Sequence, residues 1–160
     1  MRILVAGIGN IFQGDDAFGC EVVRKLSERR LPEEVHLFDY GIRGLDLIYA
    51  LLDNPDLAIL IDTTRQGGPP GTLYTIEPEI DFDSPPQMPD SHAMDPVAVL
   101  RAARDMGAMP GRILLVGCEP GDLGGEEGRM GLTRPVEAVL NEAAGMVEAL
   151  IQKELQEAVV

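Results

Sequence analysis

Residues 57–63 read Leu-Ala-Ile-Leu-Ile-Asp-Thr, five consecutive apolar residues closed by a carboxylate and a hydroxyl. A strand with one wet face alternates apolar and polar residues. An unbroken apolar run of this length is instead the pattern of a strand covered on both faces. Working upstream, residues 2–6 (RILVA) form a second such run, closed by Gly7 and Gly9, and residues 35–38 (VHLF) read as a further strand. Downstream, residues 113–117 (ILLVG) repeat the pattern, whereas residues 72–77 (TLYTIE) alternate and suit a sheet edge.

Helical periodicity fills the intervals. Phe18, Val22, Val23 and Leu26 share one face of a helix over 16–29, with basic residues in its last turns. Shorter helices are expected over 44–52 and 95–106. A long one over 135–155 carries Val136, Val139, Leu140, Ala143, Val147, Leu150 and Ile151 on one stripe. Strands alternating with helices specify an α/β fold, a three-layer α/β/α sandwich around a mostly parallel sheet. No repeat or linker divides the chain, so residues 1–160 read as a single domain. Two long irregular stretches remain, 78–94 and 119–132, and loops of that length inside a compact domain are usually functional or mobile.

Charge narrows the function. The 160 residues carry 13 Lys+Arg against 27 Asp+Glu, a formal net charge of −14 at pH 7. Such a surface repels phosphate backbones and anionic headgroups, so neither nucleic acid nor a membrane is an expected partner. The amino terminus lacks a signal-peptide h-region, and no apolar stretch has the ~18 residues of a membrane span. Cys20 and Cys118 match no metal spacing or disulfide framework and read as buried free thiols. A cytoplasmic protein is expected.

Gly7-Ile8-Gly9-Asn10 after the first strand, with Asp39 ending the second, invites a dinucleotide reading. Two features oppose it. The third glycine of that fingerprint would fall at Phe12, and Asp15 and Asp16 stand where a pyrophosphate would dock. Carboxylates there attract a cation, or else simply cap the helix. Asp16 after the first strand, Asp62 after the third and His92 before the 95–106 helix all fall at the carboxyl rim of a parallel sheet, where such folds bind ligands. Two carboxylates and an imidazole suit nickel, zinc, iron or manganese. His36, inside the second strand, is expected to be structural. No HExxH and no nucleophile-elbow serine is present.

These segments together resemble the [NiFe]-hydrogenase maturation endopeptidases. The resemblance runs in order through GIGNIFQGDDAFG (7–19), Asp39-Tyr40-Gly41-Ile42-Arg43-Gly44, LAILIDT, Pro70-Gly71-Thr72, SHAMDP (91–96), VGCEP (116–120) and Gly131-Leu132-Thr133. It implies a five-stranded mixed sheet with an antiparallel edge strand, and a cytoplasmic endopeptidase that removes the C-terminal extension of a nickel-loaded hydrogenase large-subunit precursor. It implies Asp16, Asp62 and His92 as metal-contacting and catalytic positions, with Asp16 occupying a position that is either Glu or Asp. It also implies Asp39 and Gly41 as substrate-contacting positions. Nickel would arrive with the substrate and not be held tightly by the free enzyme. The alternative is a non-catalytic metal- or nucleotide-binding module on the same sheet.

Overall fold

A computed structural model describes residues 1–79 and 95–159. Five strands alternate with helices: β1 (Ile3–Ile8), a 3-10 turn (Gly14–Ala17), α1 (Phe18–Ser27), β2 (Val35–Gly41), α2 (Gly44–Leu52), β3 (Leu57–Thr63), β4 (Leu73–Ile76), α3 (Pro96–Asp105), β5 (Arg112–Cys118), α4 (Arg134–Glu137) and α5 (Leu140–Ala158). They form one sheet in the order β2-β1-β3-β5-β4. β1, β2, β3 and β5 run parallel, and β4 pairs antiparallel with β5 at one edge. The expected three-layer sandwich, with an alternating antiparallel edge strand, is what the chain forms.

Side-chain alternation divides the core into two. Ile3 and Val5 of β1, with Leu57, Ile59 and Ile61 of β3, face α1 and α5, whose Phe18, Val22, Leu26, Val147 and Ile151 complete one apolar layer. Leu4, Ala6, Ala58 and Leu60 face the other way, onto Leu47, Ile48 and Leu51 of α2 and Val99, Leu100 and Ala103 of α3. Residues 57–61 are buried throughout, which is why they show no alternation. Each fully buried Leu or Ile contributes about 1.5–3 kcal/mol by area removed from water, so the central strand is the energetic centre of the sheet.

Glycines set how closely α1 approaches that sheet. A Cβ on Gly19 would lie 2.2 Å from the Ile61 carbonyl oxygen and 2.4 Å from that of Ile8, so the first turn of α1 rests directly on the ends of β1 and β3. Gly9 has φ +140°, and a Cβ there would strike the Asp16 carbonyl oxygen at 1.8 Å. The glycine loop is therefore pressed against the turn that carries Asp16.

Three boundaries differ from expectation. The helix expected from residue 16 starts as a 3-10 turn and becomes α-helical only at Phe18. β2 runs on to Gly41, because Asp39 and Gly41 pair with Gly7 and Ile8 across a register shift. The single helix expected over 135–155 is two, α4 and α5, with Val139 at φ −104° between them. His36 is exposed on the edge strand β2. Among the described residues no helix is long and apolar enough to cross a membrane.

Gly19→Ala forces a Cβ against two carbonyl oxygens and should cost about 3 kcal/mol, lowering the melting temperature by roughly 6–12 °C. Gly145 is the opposite case, exposed on α5 with no atom within 4 Å of the place a Cβ would take. Gly145→Ala should raise stability by ~0.5–1 kcal/mol through helix propensity. Paired thermal melts check both signs.

Candidate active site at the carboxyl rim

β1 and β3 are neighbours, with Gly7 paired to Ile61, so the glycine loop and Asp62 leave the sheet side by side. The 3-10 turn then brings Asp16 across to meet the end of β3. Asp16 Oδ2 accepts from the Asn10 N–H (2.9 Å), and Oδ1 accepts from the Thr63 hydroxyl (3.3 Å). Asp62 is only 5% exposed, and its Oδ1 accepts from the Thr63 N–H (2.7 Å). Burial holds the Asp62 carboxyl well above the usual carboxylate range, and the charge of Asp16 adds to the effect against donation from Thr63. Two carboxylates, one nearly dry, thus share one corner of the rim. A cation placed there would relieve both the desolvation and the repulsion.

An open cleft of about 360 Å³ adjoins this corner, lined by Gly9, Asn10, Phe12, Cys20, Asp39 and Gly41 among others. Its far wall is the turn from β2 into α2. There the Asp39 carboxylate accepts from the Gly41 N–H (2.9 Å), and Gly41 sits at φ +55°. Arg43 braces the same turn by donating to the Asp39 and Tyr40 carbonyl oxygens at 2.6 and 3.3 Å. Phe12 and Ile42, both more than half exposed, give the cleft an apolar lip. A larger apolar cavity, about 520 Å³ and lined by Leu51, Leu100, Met109 and Ile113, opens at the opposite rim, away from the carboxylates.

The neighbouring Asp15 does different work. It is fully buried, and its carboxylate accepts from the N–H groups of Gly121 (2.7 Å), Asp122 (2.9 Å) and Thr133 (2.7 Å) and from the Thr133 hydroxyl. Burial alone would raise its pKa, but these donors outweigh it and hold the carboxyl below its usual range. Asp15 clasps the 119–133 loop; Asp16 bridges the glycine loop and the end of β3. Glu119 is a second clasp. Only 4% exposed, it accepts at Oε1 from the Gln66 and Gly68 N–H groups (both 2.8 Å) and the Tyr74 hydroxyl (3.0 Å).

Burial disfavours the thiolate form of both cysteines. Both are free and buried. Burial, together with the Asp39 carboxylate beside it, pushes the Cys20 thiol far up, and burial pushes Cys118 up to about 12.

The structure therefore brings Asp16 and Asp62 together and sets Asp39 and Gly41 on the adjoining cleft wall. His92 lies within 80–94, outside the described residues. Among the described residues no group of three or more His, Cys, Asp or Glu side chains is gathered to hold a metal ion. The donor set present, carboxylate oxygens of two aspartates on a partly dry rim, suits a divalent cation and leaves most of its coordination to be supplied from elsewhere. Thr63 was not apparent as a site residue, because a threonine ending a strand has no distinguishing spacing. Glu119 follows β5 as Asp62 closes the apolar run of β3, and only the amides and the Tyr74 hydroxyl around Glu119 separate a clasp from a ligand.

These features define a three-layer α/β protein with a cation-attracting acidic site at the carboxyl rim of its sheet. Residues 20–150 match the family described as hydrogenase maturation protease. The chain is 32% identical over 163 residues to the hydrogenase 2 maturation protease of Escherichia coli, covering 99% of this chain and 96% of that one. It is 34% identical to the hydrogenase expression/formation protein HupD of Rhodobacter capsulatus, over 98% of this chain and 70% of that protein. Among solved structures it superposes on the E. coli hydrogenase maturating endopeptidase HybD with a TM-score of 0.78 at 33% identity, over 96% and 94% of the two chains. A hydrogenase 2 maturation peptidase from a Thaumarchaeota archaeon gives 0.71 at 29% identity, over 95% and 99%. The chain belongs to the hydrogenase maturation protease family and is an enzyme, a peptide hydrolase of hydrogenase maturation.

The adjacent aspartates make a clean test. Asp15→Asn leaves buried donors poorly matched and should cost about 2 kcal/mol, with peptide cleavage retained by the folded fraction. Asp16→Asn should leave the melting temperature near wild type and abolish cleavage. Because the folded pKa of Asp15 is lowered, its stabilisation is present above the ordinary carboxylate value of ~3.9 and is lost as the pH falls through the folded value. Asp15→Asn should flatten that acid-side slope in melts taken from pH 6 downward. Asp62 has the opposite sign. Its ionisation costs stability at neutral pH and not in acid, so Asp62→Asn should melt higher than wild type at pH 7, with the gap closing toward pH ~4.

Proposed function

We propose that this endopeptidase removes a C-terminal extension from the large-subunit precursor of a [NiFe] hydrogenase, and that the nickel already held by that precursor is recognised by Asp16, Asp62 and His92. The observation that carries the reading is the pairing of Asp16 with the nearly dry Asp62 beside an open cleft. A carboxylate pair short of further ligands suits an ion that comes with its own donors. The family membership supplies the peptide bond as the reacting group.

In this reading the cleft between the glycine loop and the Asp39–Gly41 turn receives the extended peptide, with Phe12 and Ile42 contacting its apolar side chains. Asp39 and Gly41 contact its backbone. A divalent ion held by Asp16, Asp62 and His92 would supply polarisation of the scissile carbonyl or of a water molecule. A rim carboxylate accepts the proton released when water attacks, and that proton then passes to the departing amine. The reading assigns the reaction to the cytoplasm, and the free thiols of Cys20 and Cys118 support a reducing compartment.

Incubating the protein with nickel-loaded and nickel-free large-subunit precursor, followed by intact-mass measurement, tests the reading. A loss of mass from the precursor's C-terminus is expected only with nickel. Cleavage indifferent to nickel, or no cleavage of either form, would refute it. His92→Ala should abolish processing while its circular dichroism and melting temperature stay at wild-type values. Processing by that variant at the wild-type rate would remove His92 from the site.

A further inference from the structure

Thr63 stands between the two carboxylates and bonds to both. Its N–H donates to Asp62 Oδ1 at 2.7 Å, and its hydroxyl donates to Asp16 Oδ1 at 3.3 Å. The other oxygen of Asp16 accepts from the Asn10 N–H at 2.9 Å. Asp16 is thus held at two points, one on the glycine loop and one on β3. The terminal torsion of an aspartate is otherwise soft, so a single tether would leave the carboxylate plane free to turn. A β-branched side chain in a strand has a restricted first torsion and carries its hydroxyl to a definite place.

We propose that Thr63 is a positioning residue which sets the Asp16 carboxylate beside Asp62 for capture of a divalent cation. Its hydroxyl acts on the cation through Asp16, by fixing the plane of that carboxylate. It also puts a donor, the positive end of an O–H dipole, between two like charges until the ion takes over that role. Loss of a group that orients a ligating side chain in this way typically costs about 10–100-fold in metal affinity. The same threonine transmits the strand-end position to both carboxylates, one through its backbone and one through its side chain. The inference rests on reading Asp16 and Asp62 as the cation-contacting pair.

Calorimetric titration of Cd²⁺ into wild type, Thr63→Val and Thr63→Ser, with a thermal melt of each, tests it. Valine keeps the branched shape without the hydroxyl, and serine keeps the hydroxyl without the methyl group. Thr63→Val should weaken Cd²⁺ binding about tenfold or more at an unchanged melting temperature, and Thr63→Ser should bind close to wild type. With nickel-loaded precursor, kcat/KM should fall in the valine variant by a similar factor and recover in the serine variant. Wild-type Cd²⁺ affinity in Thr63→Val, equal weakening in both variants, or a wild-type protein that binds no Cd²⁺ would each overturn the proposal. A Thr63-dependent Cd²⁺ site on a protein that leaves the precursor uncut would overturn the protease reading and leave this one standing. Normal cleavage by Thr63→Val with unaltered Cd²⁺ binding would do the reverse.

Discussion

The contact of Gly19 with the carbonyl oxygens of Ile8 and Ile61 is the constraint from which the site follows. It lets the first turn of α1 sit on the ends of two adjacent strands with no side chain between. The chain joining β1 to α1 must then fold back over the rim, which it does through Gly9 and the 3-10 turn. Asp16 is delivered to the end of β3 by that path alone. Any side chain at residue 19 would lift the turn away and separate Asp16 from Thr63. Packing density at one glycine is in this sense upstream of the chemistry at the strand ends.

From the same rim, two aspartates take opposite roles through their surroundings. Asp15 is wrapped by three N–H donors and a hydroxyl, which stabilise its charge in the interior. Asp62 is nearly as dry but receives far less donation and faces the charge of Asp16, so its ionised form is disfavoured. What separates a carboxylate already satisfied from one that still has binding capacity to offer is the number of donors around it. Functional sites hold such unmet capacity, and the surrounding core compensates for it.

The sandwich was legible in the sequence because residues 57–61 and the stripe on 140–151 follow simple periodicities. The antiparallel edge was legible in the alternation of TLYTIE. Asp16 and Asp62 could be placed on one rim because a parallel sheet puts every strand end on the same side. What could not be read were contacts made by loops. The clasp by Glu119 depends on backbone N–H groups, which every residue but proline possesses. The break between α4 and α5 leaves the apolar stripe intact, and so left no mark on the periodicity. Thr133, which heads α4, directs its hydroxyl to Asp15 and not to its own helix, a choice that capping preferences alone do not foresee.

The two clasps also bear on how such a chain can vary. The loops at 64–72 and 119–133 owe much of their shape to one carboxylate each, Glu119 and Asp15, which grip main-chain groups. Order supplied this way asks little of the side chains being gripped. Most residues in these loops can therefore drift in identity while the path of the chain is preserved, provided the carboxylate and a few glycines remain. A lineage could remodel the outer surface of this rim to suit a different protein partner without disturbing the sheet or the paired aspartates beneath it.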